Sequence, residues 1–132
     1  MVTNEYAAGF FDGEGCVCVA KMNKPDGRSG YTAFMTITNN QLAPLQAIQE
    51  RFGGRINAKG KDRLGWVLQL TGHKSRLFAE AISPHLMCKG PQVELLLEFL
   101  DLGNRHNKEE RARLRKAISD ENQRHRQSNR HG

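Results

Sequence analysis

The stretch that most constrains this chain is residues 7–15, AAGFFDGEG. Phe10 and Phe11 supply apolar bulk for a core, whereas Gly9 and Gly13 are four residues apart and therefore lie on one face of a helix. A helical face without side chains lets a second backbone approach closely, which offsets the cost of glycine in a helix, roughly 0.8–1 kcal/mol for each residue. The stretch predicts a short helix with a core-facing side and a side for close packing.

Two carboxylates mark the end of this predicted helix. Asp12 and Glu14 lie where the helix macrodipole disfavours negative charge, so they need a partner, and a divalent cation is a suitable one. Gly15 fits a helix end, and the following residues, CVCVA, predict a strand. The alternative is an ordinary core helix that ends in a glycine-rich turn. This alternative stays open because a short motif also occurs by chance in unrelated proteins.

Composition limits the classes of protein to which the chain can belong. Its 132 residues fit one domain, and a net charge of +6 with a pI of about 9.6 favours a nucleic-acid partner. Residues 103–132 hold nine Lys or Arg against four Asp or Glu. There is no apolar run that could span a membrane and no signal-peptide pattern, and the three cysteines are too few and too scattered for a disulfide framework or a zinc site. We therefore expect an intracellular protein with reduced thiols, neither secreted nor bound to a membrane.

Periodicity predicts alternating helices and strands. The helices are expected near residues 4–14, 42–52, 74–83, 92–102 and 109–118, and the strands near 16–23, 31–38, 55–59 and 66–70. The last dozen residues are polar and are predicted to be disordered. The order is α-β-β-α-β-β-α followed by further helix, which predicts an α+β fold.

The motif at residues 7–15 resembles the signature of the LAGLIDADG homing endonucleases, with Ala7 in place of the usual leading Leu. Two later segments strengthen the resemblance: ITN at residues 37–39 leads into a helix that ends FGG, and residues 84–92 resemble the segment that carries the family's active-site lysine. The resemblance implies an αββαββα fold with an antiparallel, saddle-shaped sheet over residues 1–102. Residues 103–132 then form a basic C-terminal helix and tail.

The resemblance also implies roles for individual residues. Glu14 takes the place of the family's last acid, which binds a divalent ion, usually Mg²⁺, together with the preceding carbonyl, here that of Gly13; two or three ions are expected per dimer. Lys89 takes the place of the catalytic lysine, and its alternative is a surface cation. Asn39 falls where the family often has a polar residue that orients water, and it is equally suited to a helix cap or turn. Gln41 stands where the family often has a basic residue, which leaves one active-site position unassigned.

The signature helix occurs once, and the resemblance then implies a homodimer in which each chain contributes half of the paired active site. The contact between the two copies is expected at the small and acidic residues of the helix, which are Ala8, Gly9, Asp12 and Gly13.

Alternation along the strands predicts a DNA-binding face, since an antiparallel ribbon can enter the major groove. On the last three strands the outward positions include Thr32, Thr36, Thr38, Arg55, Asn57, Lys59, Val67 and Gln69. Basic hairpin tips extend this surface with Lys24, Arg28, Lys61 and Arg63. The first strand is ambiguous: parity turns Cys16, Cys18, Ala20 and Met22 outward, while a bulge would instead expose Lys21 and Asn23.

Taken together, the resemblance implies a Mg²⁺-dependent homodimeric endonuclease that cuts both strands of a long, pseudo-palindromic DNA target. Its coding sequence is expected in a mobile intron. One alternative is a non-catalytic DNA-binding protein that kept the fold, which the presence of Glu14 opposes. The other is a maturase that assists splicing of the host intron RNA, since the basic tail suits RNA as well as DNA.

Overall fold

A computed structural model describes residues 1–23, 25–26, 29–60, 64–102 and 108–131 of the chain. In chain order its elements are α1 (Asn4–Glu14), β1 (Gly15–Asn23), β2 (Ser29–Asn39), α2 (Leu42–Phe52), β3 (Arg55–Ala58), β4 (Trp66–Thr71), α3 (Gly72–Ile82), a 3₁₀ turn (Ser83–His85), α4 (Gly90–Leu102) and α5 (Lys108–His131). The predicted α+β class and the αββαββα order are confirmed. None of the helices in these ranges is long and apolar enough to cross a membrane.

Local sequence signals set the helix ends. Thr3 caps α1 by accepting a hydrogen bond from the Tyr6 N–H at 3.0 Å. Gly53 ends α2 with a φ of +84°, a left-handed conformation that glycine adopts without strain. Gly15 ends α1, and a side chain there would collide with the ring of Phe11. The turn from α1 into β1 therefore depends on a residue without a Cβ atom.

The four strands form one antiparallel sheet in the order β1-β2-β4-β3. One face carries the buried side chains Val17, Ala33, Met35, Ile37, Leu68 and Leu70. Helices cover this face, and the rings of Phe11 and Phe52 both pack edge-on against Phe78, at centroid distances of 5.9 and 4.9 Å. This packing places α1 on the core and fixes the position of its C-terminal end.

The other side of the sheet, called here the open face, keeps part of every described side chain exposed to solvent. It carries Cys16, Cys18, Ala20, Thr32, Phe34, Thr36, Thr38, Arg55, Asn57, Val67, Gln69 and Thr71. The period-2 assignment of strand faces is therefore confirmed for β2, β3 and β4, and parity is confirmed for the described side chains of β1.

The C-terminal helix differs from its prediction. The sequence predicted a helix over residues 109–118 and disorder over the last dozen residues, whereas α5 continues to His131. Residues 108–131 contain neither glycine nor proline, so nothing in this stretch interrupts a helix once Leu114 and Ile118 dock it on the core. The prediction of disorder was wrong because it relied on polarity alone.

α5 also covers an edge of the sheet. β1 is an edge strand, and the Asn122 side chain donates to the Val17 carbonyl at 2.9 Å while Arg115 reaches the Val19 carbonyl at 3.5 Å. Arg111 donates to the carbonyl of Tyr31 at 2.7 Å and lies over the ring of Phe99. An uncovered edge strand is a template for association with another chain, so α5 protects the sheet.

Candidate functional site

The exposed end of α1 carries the residues that the sequence singled out for metal binding. Glu14 is the last residue of the helix, and both Glu14 and Gly13 are exposed. The last carbonyls of a helix have no partner within it and carry the negative end of the macrodipole. The last turn of α1 contains no basic residue of its own. The Glu14 carboxylate and the negative end of the helix dipole therefore lie at the same exposed helix end, which is a favourable position for a cation.

Asp12 faces its own chain. Its carboxylate oxygens accept hydrogen bonds from the backbone N–H groups of Met87 (2.6 Å), Cys88 (3.1 Å) and Lys89 (2.9 Å). Hydrogen bonds to a charged acceptor are stronger than those to a neutral one, so this carboxylate fixes the connector that leads into α4. The assignment of Asp12 to the contact between two copies stays a prediction, and within one chain its oxygens hold the backbone of residues 87–89.

Lys89 is buried, with 8% of its surface exposed. Its Nζ donates to the carbonyl oxygen of Gly15 and, at 3.4 Å, to that of Phe11. Burial lowers the pKa of the Lys89 ammonium, while the nearby Cys16 and Asp12 act in the opposite direction. The alternative of a surface cation is therefore wrong. The connector held by Asp12 inserts this cation beneath the end of α1, where it offsets the macrodipole.

Asn39 lies at the end of β2 and forms a turn. Its side-chain oxygen accepts a hydrogen bond from the Gln41 N–H at 2.7 Å, immediately before α2. The interpretation as a turn residue is confirmed, and the side-chain NH₂ group is the part that remains available for a further role.

The two glycines of α1 leave a bare surface. A Cβ atom added at Gly9 or Gly13 would meet no atom within 4 Å, and both residues are exposed. Ala8, by contrast, is fully buried, as is Phe11. Residues three and four apart share a helix face, so Ala8 belongs to the face of Phe11. The assignment of Ala8 to the contact between two copies was wrong, because it has no exposed surface to offer a partner.

The open face brings most of the predicted DNA-contacting residues together. Gln69 of β4 lies between its register partners Thr36 and Arg55, and Val67 lies between Thr38 and Asn57. Lys59 follows β3 directly, and its N–H still donates to the Gly65 carbonyl at 3.0 Å. Apart from Val67, the side chains named here are amides, hydroxyls and cations, which suit hydrogen bonds to base edges and phosphates.

Several predicted contacts either miss the open face or lie outside the described structure. β1 and β2 pair residue for residue from Gly15 to Asn23, without a bulge. Lys21 therefore has the parity of Val17, on the side that the helices cover, and the alternative of a bulge was wrong. The side chain of Asn23 and the residues Lys24, Arg28, Lys61 and Arg63 lie outside the described part of the structure.

Sequence reasoning missed two residues near Arg55. Gly54, Arg55, Gln69, Thr71 and Lys74 line a cavity of about 420 Å³ at one end of the open face. Thr71 could have been found by extending the parity of Val67 and Gln69 by one step. Lys74 had no such signal, because it belongs to α3 and reaches the cavity only through the tertiary fold.

One chain supplies some of the oxygen ligands that a metal ion needs, and the remaining ligands would come from other molecules. No group of three or more His, Cys, Asp or Glu side chains that could hold a metal occurs among the residues the structure describes. One chain offers the Glu14 carboxylate and the Gly13 carbonyl. Mg²⁺ is commonly bound by one or two carboxylates together with substrate phosphates and water. The arrangement therefore suits a Mg²⁺ site that is complete only with a nucleic acid or a second copy.

Comparison with known proteins identifies the family. The sequence model of the LAGLIDADG endonuclease family matches residues 7–87, and the chain belongs to this family. The match contains the α1 motif, the whole sheet and the connector up to Met87. No curated protein sequence matches the chain significantly.

Solved structures share the fold. The archaeal intron-encoded homing endonuclease I-Vdi141I, complexed with DNA, is 21% identical with a TM-score of 0.75, over 89% of this chain and 82% of that one. The homing endonuclease I-TnaI is 17% identical with a TM-score of 0.65, over 91% and 98% of the two chains. I-SmaMI, bound to an uncleaved DNA target in the presence of calcium ions, is 20% identical with a TM-score of 0.60. That match covers 77% of this chain and 37% of I-SmaMI.

Proposed function

We propose that this protein is a sequence-specific double-strand DNA endonuclease that acts as a homodimer with divalent metal ions. The observation that carries the proposal is the exposed carboxylate of Glu14 at the C-terminal end of α1, between Gly13, which is exposed, and Gly15, whose carbonyl accepts a hydrogen bond from the buried ammonium of Lys89. A family member that had kept only DNA binding would not need to retain an exposed carboxylate where phosphate groups approach.

The residues around Glu14 would have separate roles in catalysis. Glu14 and the Gly13 carbonyl would hold Mg²⁺, which supplies Lewis-acid stabilisation of the charge that develops on the phosphate oxygens. Lys89 contacts the carbonyls of Phe11 and Gly15, so it keeps the end of α1 in place and adds positive potential beneath the site. The free NH₂ group of Asn39 is the candidate for orienting the attacking water.

A dimer follows from the bare surface of α1. Both strands of a duplex must be cut, and the described residues of one chain present a single helix end of this kind. Pairing of two α1 helices across Gly9 and Gly13 would place the two Glu14 side chains near a shared two-fold axis, as a closed C2 dimer requires. The half-exposed Tyr6 lies near the other end of the same helix, and a partner would cover it.

DNA is the substrate that suits the open face. I-Vdi141I and I-SmaMI were solved with DNA, and the open face of this chain carries Arg55, Asn57 and Gln69 on neighbouring strands. Two copies related by a two-fold axis would read a long, pseudo-palindromic target. We place the protein inside the cell, where such a target is found, and its coding sequence in a mobile intron.

The proposal is tested by selecting the target and then cutting it. Purified protein is mixed with a randomised duplex library in Ca²⁺, and the DNA that it retains is sequenced. We expect a single pseudo-palindromic site, and we expect a plasmid that carries this site to become linear when Mg²⁺ replaces Ca²⁺. A selected site that is bound but never cut in Mg²⁺ would show a non-catalytic DNA-binding protein.

A further inference from the structure

The open face changes its chemistry with distance from Glu14. The strand registers divide the face into four rows, counted outward from the end that lies near Glu14. The first row is Thr38, Val67 and Asn57, and the second is Cys16, Thr36, Gln69 and Arg55. The third row is Cys18, Phe34 and Thr71, and the fourth is Ala20 and Thr32. The first two rows contain every amide and the only guanidinium of the described face. The outer rows contain an aromatic ring, a thiol, a methyl group and two hydroxyls.

Phe34 is the unusual member of this surface. Its neighbours along the strand, Ala33 and Met35, are buried, while Phe34 points to the open face and is only partly buried. Among the residues that the structure describes, it is not one of the side chains that pack against the core cluster. Its register partner Cys18 lies beside it, and the Cys18 thiol contacts that of Cys16 at 3.7 Å. A large apolar side chain that the core does not use is available to a ligand.

The base edge that an apolar surface recognises in the major groove is the thymine C5-methyl group. We propose that Phe34, with Cys18 and Ala20, reads thymine methyl groups in the outer part of each half-site, while Arg55 and Gln69 read bases nearer the cleavage position through hydrogen bonds. This inference rests on the proposed function, since it names the bases that the DNA target must present to the open face.

The spacing of the rows fixes the position of these thymines. A strand rises about 3.4 Å per residue, so rows two residues apart are separated by about 7 Å. DNA rises about 3.4 Å per base, and one row therefore corresponds to about two base pairs. The row of Phe34 is two rows outward from that of Val67. The thymines are expected about four base pairs farther from the centre of the target than the bases that contact Val67 and Asn57.

The experiment uses the site that the full-length protein selects from a randomised duplex library in Ca²⁺. Each thymine in the outer part of the half-sites is replaced by deoxyuridine, which removes only the methyl group. Burial of one methyl group corresponds to roughly a fourfold change in affinity, so each replacement should weaken binding of the wild-type protein by about that factor. At the thymine that Phe34 contacts, the Phe34→Asn variant should bind the thymine and deoxyuridine sites equally, whereas the control Leu77→Asn, which changes an exposed side chain of α3, should still distinguish them.

The outcomes separate this inference from the function on which it rests. A defined site without outer thymines, or equal binding of thymine and deoxyuridine sites by the wild-type protein, would overturn the inference and leave the DNA-binding function standing. Failure of the wild-type protein to enrich any site would instead overturn both. Equal binding by the wild-type protein overturns the inference even if Phe34→Asn does not fold. A folded Phe34→Asn variant that still distinguishes every outer thymine from deoxyuridine would overturn it as well.

Discussion

At the scale of single residues, Asp12 connects the two parts of the chain that build the site. Its carboxylate accepts three backbone hydrogen bonds from residues 87–89. Because a net hydrogen bond to a charged group contributes roughly 1.5–3 kcal/mol, Asp12→Ala should lower the free energy of unfolding by about 2–4 kcal/mol. Urea denaturation measures this change, and the control Asp101→Ala, which removes only an exposed ion pair with Arg76, should cost less than about 1 kcal/mol. Equal effects of the two substitutions would contradict the role given to Asp12.

The lowered pKa of Lys89 predicts how the stability of the protein depends on pH. Burial lowers its pKa in the folded protein, so at alkaline pH the unfolded chain binds more protons at this residue than the folded chain does. The cost of burying the ammonium is present below the lowered pKa and disappears as the pH rises towards the ordinary value of lysine. The wild-type protein should therefore gain stability relative to Lys89→Met between neutral pH and about pH 10. Urea denaturation across this pH range shows whether the free energy of unfolding rises as expected. For Lys116→Met, a substitution at an exposed position of α5, the free energy of unfolding should change with pH in the same way as for the wild type.

The sequence predicted the helix face correctly for some residues of α1 and wrongly for others. Phe11 and the glycine pair were assigned to the correct faces because helical spacing is a local property. Ala8 was grouped with the glycines because both are small, although its position three residues before Phe11 already turned it to the core. Neither the burial of Lys89 nor the hydrogen bonds of Asp12 could be predicted, since they join residues more than 70 positions apart.

At the scale of elements, α5 has two separable roles. Its first part docks on the core through Leu114 and Ile118 and covers the edge of β1, while residues 125–131 extend the helix beyond Asn122 and add Arg126 and Arg130. Removal of residues 125–132 should leave the fold intact and reduce the dependence of DNA binding on salt, without changing the preferred sequence. Fluorescence anisotropy over a salt series measures the slope, and a changed site preference would reverse this assignment.

The longer deletion serves as the comparison. Removal of residues 108–132 exposes the core side chains that contact Leu114 and leaves the edge of β1 uncovered. We expect this variant to aggregate, because an unprotected edge strand pairs with other chains. A monodisperse, folded product in size-exclusion chromatography would show that α5 is not needed to protect the sheet.

Element order and strand faces were predictable, and the exceptions have physical causes. The apolar residues of the antiparallel strands recur at every second position. Once the buried face is known, the residues between them are assigned to the open face. β1 was ambiguous because both of its faces are rich in apolar residues, and only its unbroken pairing with β2 settles the position of Lys21. The length of α5 was missed because its second half is polar all round and its helical state depends on continuation from the docked first half.

At the scale of the whole molecule, the bare surface of α1 offers a test of assembly. A side chain at Gly13 would meet no atom of its own chain within 4 Å, so Gly13→Val should leave the monomer folded and separate the two copies. Light scattering should show a dimer for the wild type and a monomer for this variant, with unchanged circular dichroism. Gly90→Val, also at an open position, should remain dimeric. A wild-type monomer, or a dimer of Gly13→Val, would contradict the proposed assembly.

The central claim is that Glu14 is the metal-binding acid of a nuclease, and the cleavage rate of Glu14→Gln tests it most directly. The substitution keeps the shape of the side chain and removes the charge that would hold Mg²⁺. Metal catalysis contributes several kcal/mol, and a factor of ten in rate corresponds to about 1.4 kcal/mol, so cleavage of a plasmid carrying the selected site should fall by at least a few hundredfold.

The measurement has two controls. Binding of Glu14→Gln to the same site in Ca²⁺ should be as tight as that of the wild type, because the strands make the contacts to DNA. Glu94→Gln, which changes an exposed glutamate of α4, should cut at the wild-type rate. Glu14→Gln should bind its target and not cut it, and cleavage by this variant at the wild-type rate would contradict the assignment of Glu14 as the metal-binding acid.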